Sequence, residues 1–469
     1  MIFINKLINN KDILTKTILI FFFIASWFSI GTSFNNLKFI FFNEKITILG
    51  IIDAIRVLIN LAGFPILLFL FTKQLFKTKD DIIKSNWLFF VFFSYFLSQI
   101  PGLFYTDNSI SNVVYILSAI NILMIVSLSV QIFRPNELAW LFYISAFLLL
   151  VVLSQAFTRD MISFIYTPNT RFYGQVNQLI IEGHIRSSGA SRIALLLLIG
   201  YSIFIKDSIK PKYIQFIPIL FLSTIIFLYQ SRTVIILLFL FILFYLLFIE
   251  NWSFKGLLKY LVICFLIPYL ASSYASIIKL QYDLTDKMKR DYQQQVTDKG
   301  YEGTLDDFEK ENKKIYILSE DNAICKIIKC KSNQRIVTTK ATSGRLSDWK
   351  DIFNNFDFNN NLFFGYGSQG DRYLINQTAS NGILYALSSS GIVGLIIFII
   401  FSFIAVIKIF KYFLFNDKKN AIYSFSILII IVIGVRSLIE SSYALFGIDF
   451  IIFYICLAIV TKFDKISKQ

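Results

Sequence analysis

Long apolar stretches alternate with short polar stretches over almost the whole chain. A helix that crosses the hydrocarbon core of a bilayer needs about 20 mostly apolar residues, and the sequence contains about twelve such blocks. The blocks are residues 17–33, 46–71, 86–104, 110–133, 138–157, 190–205, 214–229, 234–249, 257–277, 391–409, 423–435 and 444–460. This pattern predicts an all-α integral membrane protein with about twelve transmembrane helices.

One segment is too long and too polar to fit this alternation. We expect residues 1–278 to hold helices 1–9, residues 279–378 to form one large loop, and residues 379–469 to hold helices 10–12. The first half of the loop is rich in charged residues and Gln. Between residues 342 and 381, Gly, Asn, Asp and aromatic residues alternate, as in a structured loop that lines a site.

Composition and charge agree with this class and orient the chain. The chain is 56% hydrophobic and only 16% charged, against roughly 25% charged residues in soluble domains. The net charge of +15 comes mostly from basic residues in the connections after even-numbered helices and at both termini. Because basic residues concentrate in cytoplasmic loops, we expect cytoplasmic termini and an outside location for the large loop. Basic residues do not interleave with aromatic ones in a patch, so no nucleic-acid partner is expected.

The four cysteines give little sign of redox or metal chemistry. Cys264 and Cys456 fall inside apolar blocks, whereas Cys325 and Cys330 lie in the large loop. A disulfide between the latter two is permitted if that side of the membrane is oxidising. No metal site is expected, because the only histidine is His184.

Several arginines lie on the side that basic residues normally avoid. A single one could be a snorkelling side chain or a lipid contact. The group as a whole predicts a phosphate or pyrophosphate site, because arginine is the preferred planar donor for phosphate. Its members are Arg186, Arg192, Arg232 and Arg436 at outer helix ends, and Arg345 and Arg372 in the large loop.

Arg232 carries the strongest single signal. It lies between two apolar blocks with almost no loop, where a charge is costly and therefore a functional hypothesis. The alternative is an arginine neutralised by the C-terminus of a neighbouring helix.

Short motifs in the second half of the chain resemble one family. The motifs are Ser-Arg-Thr at Arg232, Arg345 ahead of Asp348 and Trp349, Gly365-Tyr366-Gly367, Asn381 followed by Gly391 and Gly394, and Arg436 followed by Glu440. In this order, and with one large late loop, they resemble the superfamily of O-antigen polymerases (Wzy) and O-antigen ligases.

The resemblance implies a membrane glycosyltransferase in a bacterial inner membrane. Its substrate would be an oligosaccharide on undecaprenyl pyrophosphate, used without cofactor or metal at the periplasmic face. A polymerase moves the growing glycan onto the next lipid-linked repeat, whereas a ligase moves it onto lipid A-core. A flippase and a chain-length regulator protein are the implied protein partners.

The identity of a general base is the least determined feature. In the ligases a His precedes the Asn of the loop motif, and here Ser380 occupies that position, which argues for a polymerase. The remaining candidates are Asp371, Asp348 and Glu440. We favour Asp371, whose pKa the adjacent Arg372 should keep low, although a loop contact between the two is an equal alternative.

The other residues of the candidate site are expected to bind substrate. They are Tyr366, Ser380, Asn381, Glu440 and His184, together with the arginines outside the catalytic set of Asp371, Arg232 and Arg345. His184 is a surface residue on the simplest interpretation, and a base from another loop on the alternative one.

A transporter of lipid-linked oligosaccharide is the rival from another functional class. Such a flippase needs a polar path through the membrane, with charges inside many helices. Here Asp53 and Arg56 are the main charges inside the blocks. The gathering of polar residues on one side favours chemistry at one surface.

The topology can be tested with reporter fusions. Reporters at Lys79, Lys210 and Lys418 should be active only as cytoplasmic markers, and a reporter at Tyr301 only as an external marker, because the basic loops stay inside. A cytoplasmic reporter signal at Tyr301 would overturn the orientation.

Overall fold

A computed structural model describes most of the chain. The described residues are 11–29, 48–77, 82–105, 109–166, 172, 186–250, 252–279, 282, 345–375, 378–415 and 420–466. Within these ranges the regular elements are helical and no strand occurs. Cys325, Cys330, Tyr301 and His184 lie outside the described residues.

The described helices follow the apolar blocks of the sequence. The first nine are α1 Lys11–Ser29, α2 Ile48–Lys77, α3 Ile82–Leu97, α4 Ser109–Ile132, α5 Ala139–Tyr166, α6 Arg186–Phe204, α7 Phe216–Leu228, α8 Arg232–Phe248 and α9 Phe254–Leu261. A π turn, Val262–Leu266, extends α9 into a helix that ends at Lys279. The others are α10 Arg345–Asn355, α11 Gly370–Ile375, α12 Gly382–Phe415, α13 Ala421–Ser437 and α14 Ile448–Ile466.

The prediction of an all-α, multi-pass membrane protein is confirmed. Within the described residues, each of the twelve apolar blocks coincides over most of its length with a helix. Six helices in the described part of the chain are long and apolar enough to cross a bilayer, and four further apolar helices are shorter. Many of their large apolar side chains face outward, as on α2 and α12, which suits lipid contact and not water.

The centre of the bundle is built from α4, α13 and α14. Helix α13 is apolar on all sides and almost entirely buried, as expected for a helix enclosed by others. It packs against α6, α8, α12 and α14. Aromatic rings fill the gaps, for example Tyr443 and Phe453, which stack with centroids 4.0 Å apart.

Polar groups inside the bundle pair with one another. In α2, Arg56 donates to Asp53 at 2.7 Å, and both side chains are buried. Asn121 of α4 donates to the Asn60 carbonyl at 3.0 Å. These bonds satisfy groups that lipid cannot hydrogen-bond, and the bond from Asn121 joins α4 to α2.

Helix α12 is broken at Gly391. This residue has φ 61° and ψ −159°, a backbone conformation that favours glycine. The break leaves the carbonyls of Ser388 and Ser389, and the amides of Ile392 and Val393, without helical partners.

The glycine loop, residues 362–370, supplies the missing partners. Tyr366 and Gly367 donate backbone N–H groups to the Ser388 and Ser389 carbonyls at 2.8 and 2.9 Å. In the opposite direction, Ile392 donates to the Leu362 carbonyl at 2.8 Å and Val393 to that of Phe363 at 3.3 Å. Irregular backbone is tolerated at membrane depth only where protein satisfies its polar groups in this way.

The glycines of this loop are required by close backbone contact. A Cβ on Gly365, which has φ 62°, would lie 2.7 Å from both the Gly391 nitrogen and the Ser388 oxygen. A Cβ on Gly370 would lie 2.3 Å from that same Ser388 oxygen. The backbone of the glycine loop packs against the break in α12, whereas the side chains of Phe363 and Phe364 are exposed, and a role of this loop in lining a site stays a prediction.

Substituting Gly391 tests this arrangement. Gly391→Ala would place a Cβ 2.4 Å from the Phe363 carbonyl carbon at positive φ, so we expect a loss of at least roughly 1–3 kcal/mol in unfolding free energy. Thermal unfolding of the purified protein in detergent measures the effect.

Gly434→Ala is the matched control. Gly434 lies in α13, and a Cβ there meets nothing within 4 Å, so alanine should be neutral or stabilise the helix by up to about 1 kcal/mol. Equal unfolding temperatures for the two variants would contradict the proposed role of the break.

Candidate functional site

Two of the predicted arginines meet at a single buried carboxylate. The Nη1 of Arg192, on α6, lies 3.1 Å from Oδ1 of Asp449, in the first turn of α14. Arg436, in the last turn of α13, forms an ion pair with Oδ2 of the same carboxylate. The Ser442 hydroxyl donates to that oxygen at 3.1 Å. We call Arg192, Arg436 and Asp449 the arginine cluster, and the end of the bundle that holds it the arginine end.

The arginine cluster carries more positive than negative charge in a buried place. The Asp449 side chain is 2% exposed and that of Arg436 is 7% exposed, whereas Arg192 at 17% keeps contact with the surface. One carboxylate balances only one of the two guanidinium groups. The Nε–H groups of Arg192 and Arg436 are also buried without a hydrogen-bond partner among the described residues. Buried charges and donors of this kind need a counter-ion.

A second ion pair lies beside the cluster. Arg345, the first residue of α10, donates from Nη2 to Oε1 of Glu440 at 2.8 Å. Their side chains are 24% and 18% exposed, so this pair is more accessible than the arginine cluster. Glu440 lies within electrostatic range of Arg192. The structure therefore brings Arg192, Arg345, Arg436 and Glu440 to one place.

Asn381 connects the end of the large loop to the segment that follows Arg436. Its side-chain oxygen accepts from the backbone amides of Ile383 and Leu384 at 2.9 and 3.1 Å and caps α12, as asparagine does at helix N-termini. Its amide nitrogen donates to the Leu438 carbonyl at 3.0 Å. Ser380 precedes it with φ 50°, and the Ser380 hydroxyl lies 3.5 Å from the Thr378 carbonyl.

Asp371 has a well-defined structural role. Its carboxylate is 1% exposed and accepts from the backbone amides of Arg372 and Ala379, both at 2.8 Å. These bonds close the segment that leads to Ser380. We expected Arg372 to keep the pKa of Asp371 low, and this is wrong, because burial raises the pKa of that carboxyl more than Arg372 and the two amides lower it.

Two other predicted substrate-binding residues, Tyr366 and Arg372, make contacts within the segment before α12. Tyr366 is 6% exposed, packs edge to face on Phe356 and stacks on Tyr373, and its hydroxyl accepts from the Asp357 amide at 3.0 Å. Arg372 is exposed, and its guanidinium lies 3.5 Å from the Gln369 side-chain oxygen. The role of Arg372 in binding substrate stays a prediction.

Arg232 begins α8 and is exposed. It forms no ion pair with another described residue, and no described contact joins it to the arginine cluster. Just before it, the Tyr229 hydroxyl donates to buried Asp160 at 2.8 Å. Arg232 is thus available to a ligand at the surface.

The remaining candidates give less information. Arg186 is the first residue of α6, but its side chain is not described, and His184 lies outside the described residues. Asp348 lies in the first turn of α10. No group of His, Cys, Asp and Glu suited to a metal ion occurs within the described ranges.

Asp449 is the residue that the sequence reasoning missed. It is a charged residue inside an otherwise apolar block, and a charge in that setting is a functional signal. The same signal marks Arg232, so the sequence contains the information that singles out Asp449.

Comparison with known proteins agrees with the resemblance inferred from the motifs. Residues 217–399 match a family model described as O-Antigen ligase. The matched segment contains Arg232, Arg345 and the glycine loop, while Arg436, Glu440 and Asp449 follow it. No curated protein matches the chain, and no solved structure does.

Proposed function

We propose that this chain is a membrane glycosyltransferase that acts as a polysaccharide polymerase, because residues 217–399 match a family model described as O-Antigen ligase. It transfers a growing glycan from undecaprenyl pyrophosphate to the next lipid-linked repeat unit. The products are a longer lipid-linked glycan and free undecaprenyl pyrophosphate. The reaction takes place at the arginine end of the bundle, which faces the periplasm of an inner membrane in this proposal.

The excess positive charge of the arginine cluster is the observation that carries the proposal. Arg192 and Arg436 share one carboxylate and keep unused N–H groups. A pyrophosphate supplies the missing negative charge and several acceptor oxygens, and guanidinium groups bind such oxygens in paired hydrogen bonds. Exposed Arg232 can bind the same group from α8.

The same charges assist the departure of the leaving group. As the bond between the sugar and the pyrophosphate breaks, its electron pair moves to the pyrophosphate oxygen. Fixed positive charges in a water-poor site stabilise this developing charge. Donor binding and leaving-group stabilisation therefore use the same side chains.

Glu440 is the best placed base among the described carboxylates near the cluster. It is part-exposed and held by Arg345, whereas Asp371 is buried with both oxygens occupied by backbone amides. In the proposed reaction, Arg345 turns from Glu440 to the donor phosphate and leaves the carboxylate free. Glu440 then takes the proton of the acceptor hydroxyl while the hydroxyl oxygen forms the new bond to the sugar. Asp371 acts by holding the segment before Ser380.

Ligation of finished polymer to lipid A-core is the second candidate. The description of the matching family model favours it. The Ser380 hydroxyl at the position where ligases carry His argues against it, because a serine hydroxyl is a weak base. A flippase receives less support, since the charged Asp53 and Arg56 inside α2 neutralise each other.

A purified-enzyme assay with synthetic lipid-linked repeat units tests the proposal. Wild type should convert single repeats into a ladder of longer lipid-linked glycans without any lipid A-core acceptor. Elongation only when lipid A-core is added would identify a ligase, and the absence of any transfer with both acceptors would contradict the proposed reaction.

Variants in the same assay identify the base. Glu440→Gln should lower turnover by roughly 10²–10⁴-fold, the usual contribution of a positioned base, while donor binding is kept. Asp371→Asn should lower thermal stability and turnover together, because one of two buried amides loses its acceptor.

Glu137→Gln is the matched control. Glu137 pairs with Lys16 at 2.8 Å on the surface, and exposed pairs of this kind contribute about 0–1 kcal/mol, so activity should stay at the wild-type level. Normal turnover in Glu440→Gln together with an inactive but stably folded Asp371→Asn would assign the base to Asp371.

A further inference from the structure

A cavity of about 310 Å³ lies at the end of the bundle opposite the arginine cluster. Helices α2, α3, α4 and α14 form its walls. Lys462 lines the cavity, and Asp449 lies about 20 Å away along α14 at a rise of 1.5 Å per residue. The cavity is therefore separate from the proposed catalytic site.

Lys462 provides the positive charge of the cavity. Its ammonium donates to the carbonyls of Val130 and Phe133 at 2.5 and 2.7 Å, which terminates α4. An ammonium has three N–H donors, so one remains after these two bonds. Among the described residues no carboxylate lines the cavity, and Glu137, the carboxylate that acts on Lys462 from nearby, is paired with Lys16.

Gln131 provides an acceptor that lacks a donor. Its amide nitrogen donates to Asn86. Its Oε1 is buried and has no hydrogen-bond partner among the described residues. An acceptor left in this state costs free energy until a ligand or water donates to it.

The apolar part of the lining indicates the kind of molecule that would enter. Leu88, Phe89, Val130 and Ala458 line the cavity next to these polar groups. The polar groups lie near the ends of α2, α4 and α14 and near the start of α3, where headgroups of the surrounding lipid are found. The volume is at the lower end of the range for ligand pockets.

We propose that this cavity binds the headgroup of a membrane phospholipid that carries both a phosphate and a hydrogen-bond donor. The phosphate accepts from the Lys462 ammonium, and a headgroup hydroxyl or ammonium donates to Gln131 Oε1. The glycerol and upper acyl carbons pack on the apolar lining. Phosphatidylglycerol and phosphatidylethanolamine fit this requirement, whereas phosphatidylcholine lacks an N–H or O–H donor.

Lipid titration with thermal unfolding as the readout tests the proposal. Full-length protein in detergent is titrated with phosphatidylglycerol, phosphatidylethanolamine or phosphatidylcholine of the same acyl chains. The first two should raise the unfolding temperature in a saturable way, and phosphatidylcholine should bind about tenfold more weakly or worse, for want of one hydrogen bond to a buried acceptor.

Two variants locate the effect in the cavity. Lys462→Met should weaken phosphatidylglycerol binding by about tenfold or more, since a charge-assisted bond is lost. Ala458→Phe fills the space without removing a polar group or the cap of α4, and it should abolish saturable binding. Lys73→Met is the control, because Lys73 is exposed one residue from Gln74 and does not line the cavity.

Several results would overturn the proposal. Unchanged lipid binding in Ala458→Phe would place the lipid elsewhere, and equal stabilisation by phosphatidylcholine would remove the role of Gln131. Stabilisation by glycerol phosphate or inorganic phosphate as strong as that by phosphatidylglycerol would indicate a soluble ligand. Turnover does not enter this experiment, so its outcome is independent of the proposed glycosyl transfer.

Discussion

The arginine end of the bundle depends on the carboxylate of Asp449, which lies between two guanidinium groups. Arg192, Arg436 and Asp449 come from α6, α13 and α14, so one buried anion joins the ends of three helices. Burial makes this arrangement costly unless every charge finds a partner. The unbalanced guanidinium charge gives the arginine end an affinity for anions that none of the three helices would have alone.

The break in α12 positions the rest of the site beside the arginine cluster. Its backbone groups at the break are satisfied by the glycine loop, which fixes the course of the chain beyond residue 345. That segment carries Arg345 to Glu440 and Asn381 to the Leu438 carbonyl. Asp371 holds the last part of the segment in place through the Ala379 amide. A loop outside the helices and a break within one of them thus form a single packed unit.

Much of the fold could be predicted because long apolar blocks by themselves indicate transmembrane helices. In the described part of the chain every apolar block coincides largely with a helix, since a chain in lipid must satisfy its backbone groups internally. The convergence of Arg192, Arg345 and Arg436 was expected from their placement on the side that basic residues avoid. The break at Gly391 was not predicted, because a glycine among small residues in a sequence does not show which carbonyls its backbone leaves free.

The chemistry of single carboxylates was harder to predict. The neighbouring Arg372 suggested an ionised Asp371, but the effect of burial depends on contacts with distant segments such as Ala379. The importance of Asp449 depends on its contacts with α6 and α13, which the sequence does not give. Arg232, by contrast, stands out in the sequence because it lies between two apolar blocks, and in the structure it is exposed at the start of α8.

Binding of undecaprenyl pyrophosphate by Arg436→Gln tests the central claim most directly. The variant leaves Arg192 and Asp449 as a neutral pair, so the fold should survive, while the excess charge that attracts the pyrophosphate is gone. Ligand-induced stabilisation, which reports the Kd without turnover, should be strong in wild type and in Arg134→Gln, whose arginine is exposed away from the cluster. It should be largely lost in Arg436→Gln. A folded Arg436→Gln protein with the wild-type Kd would contradict the account.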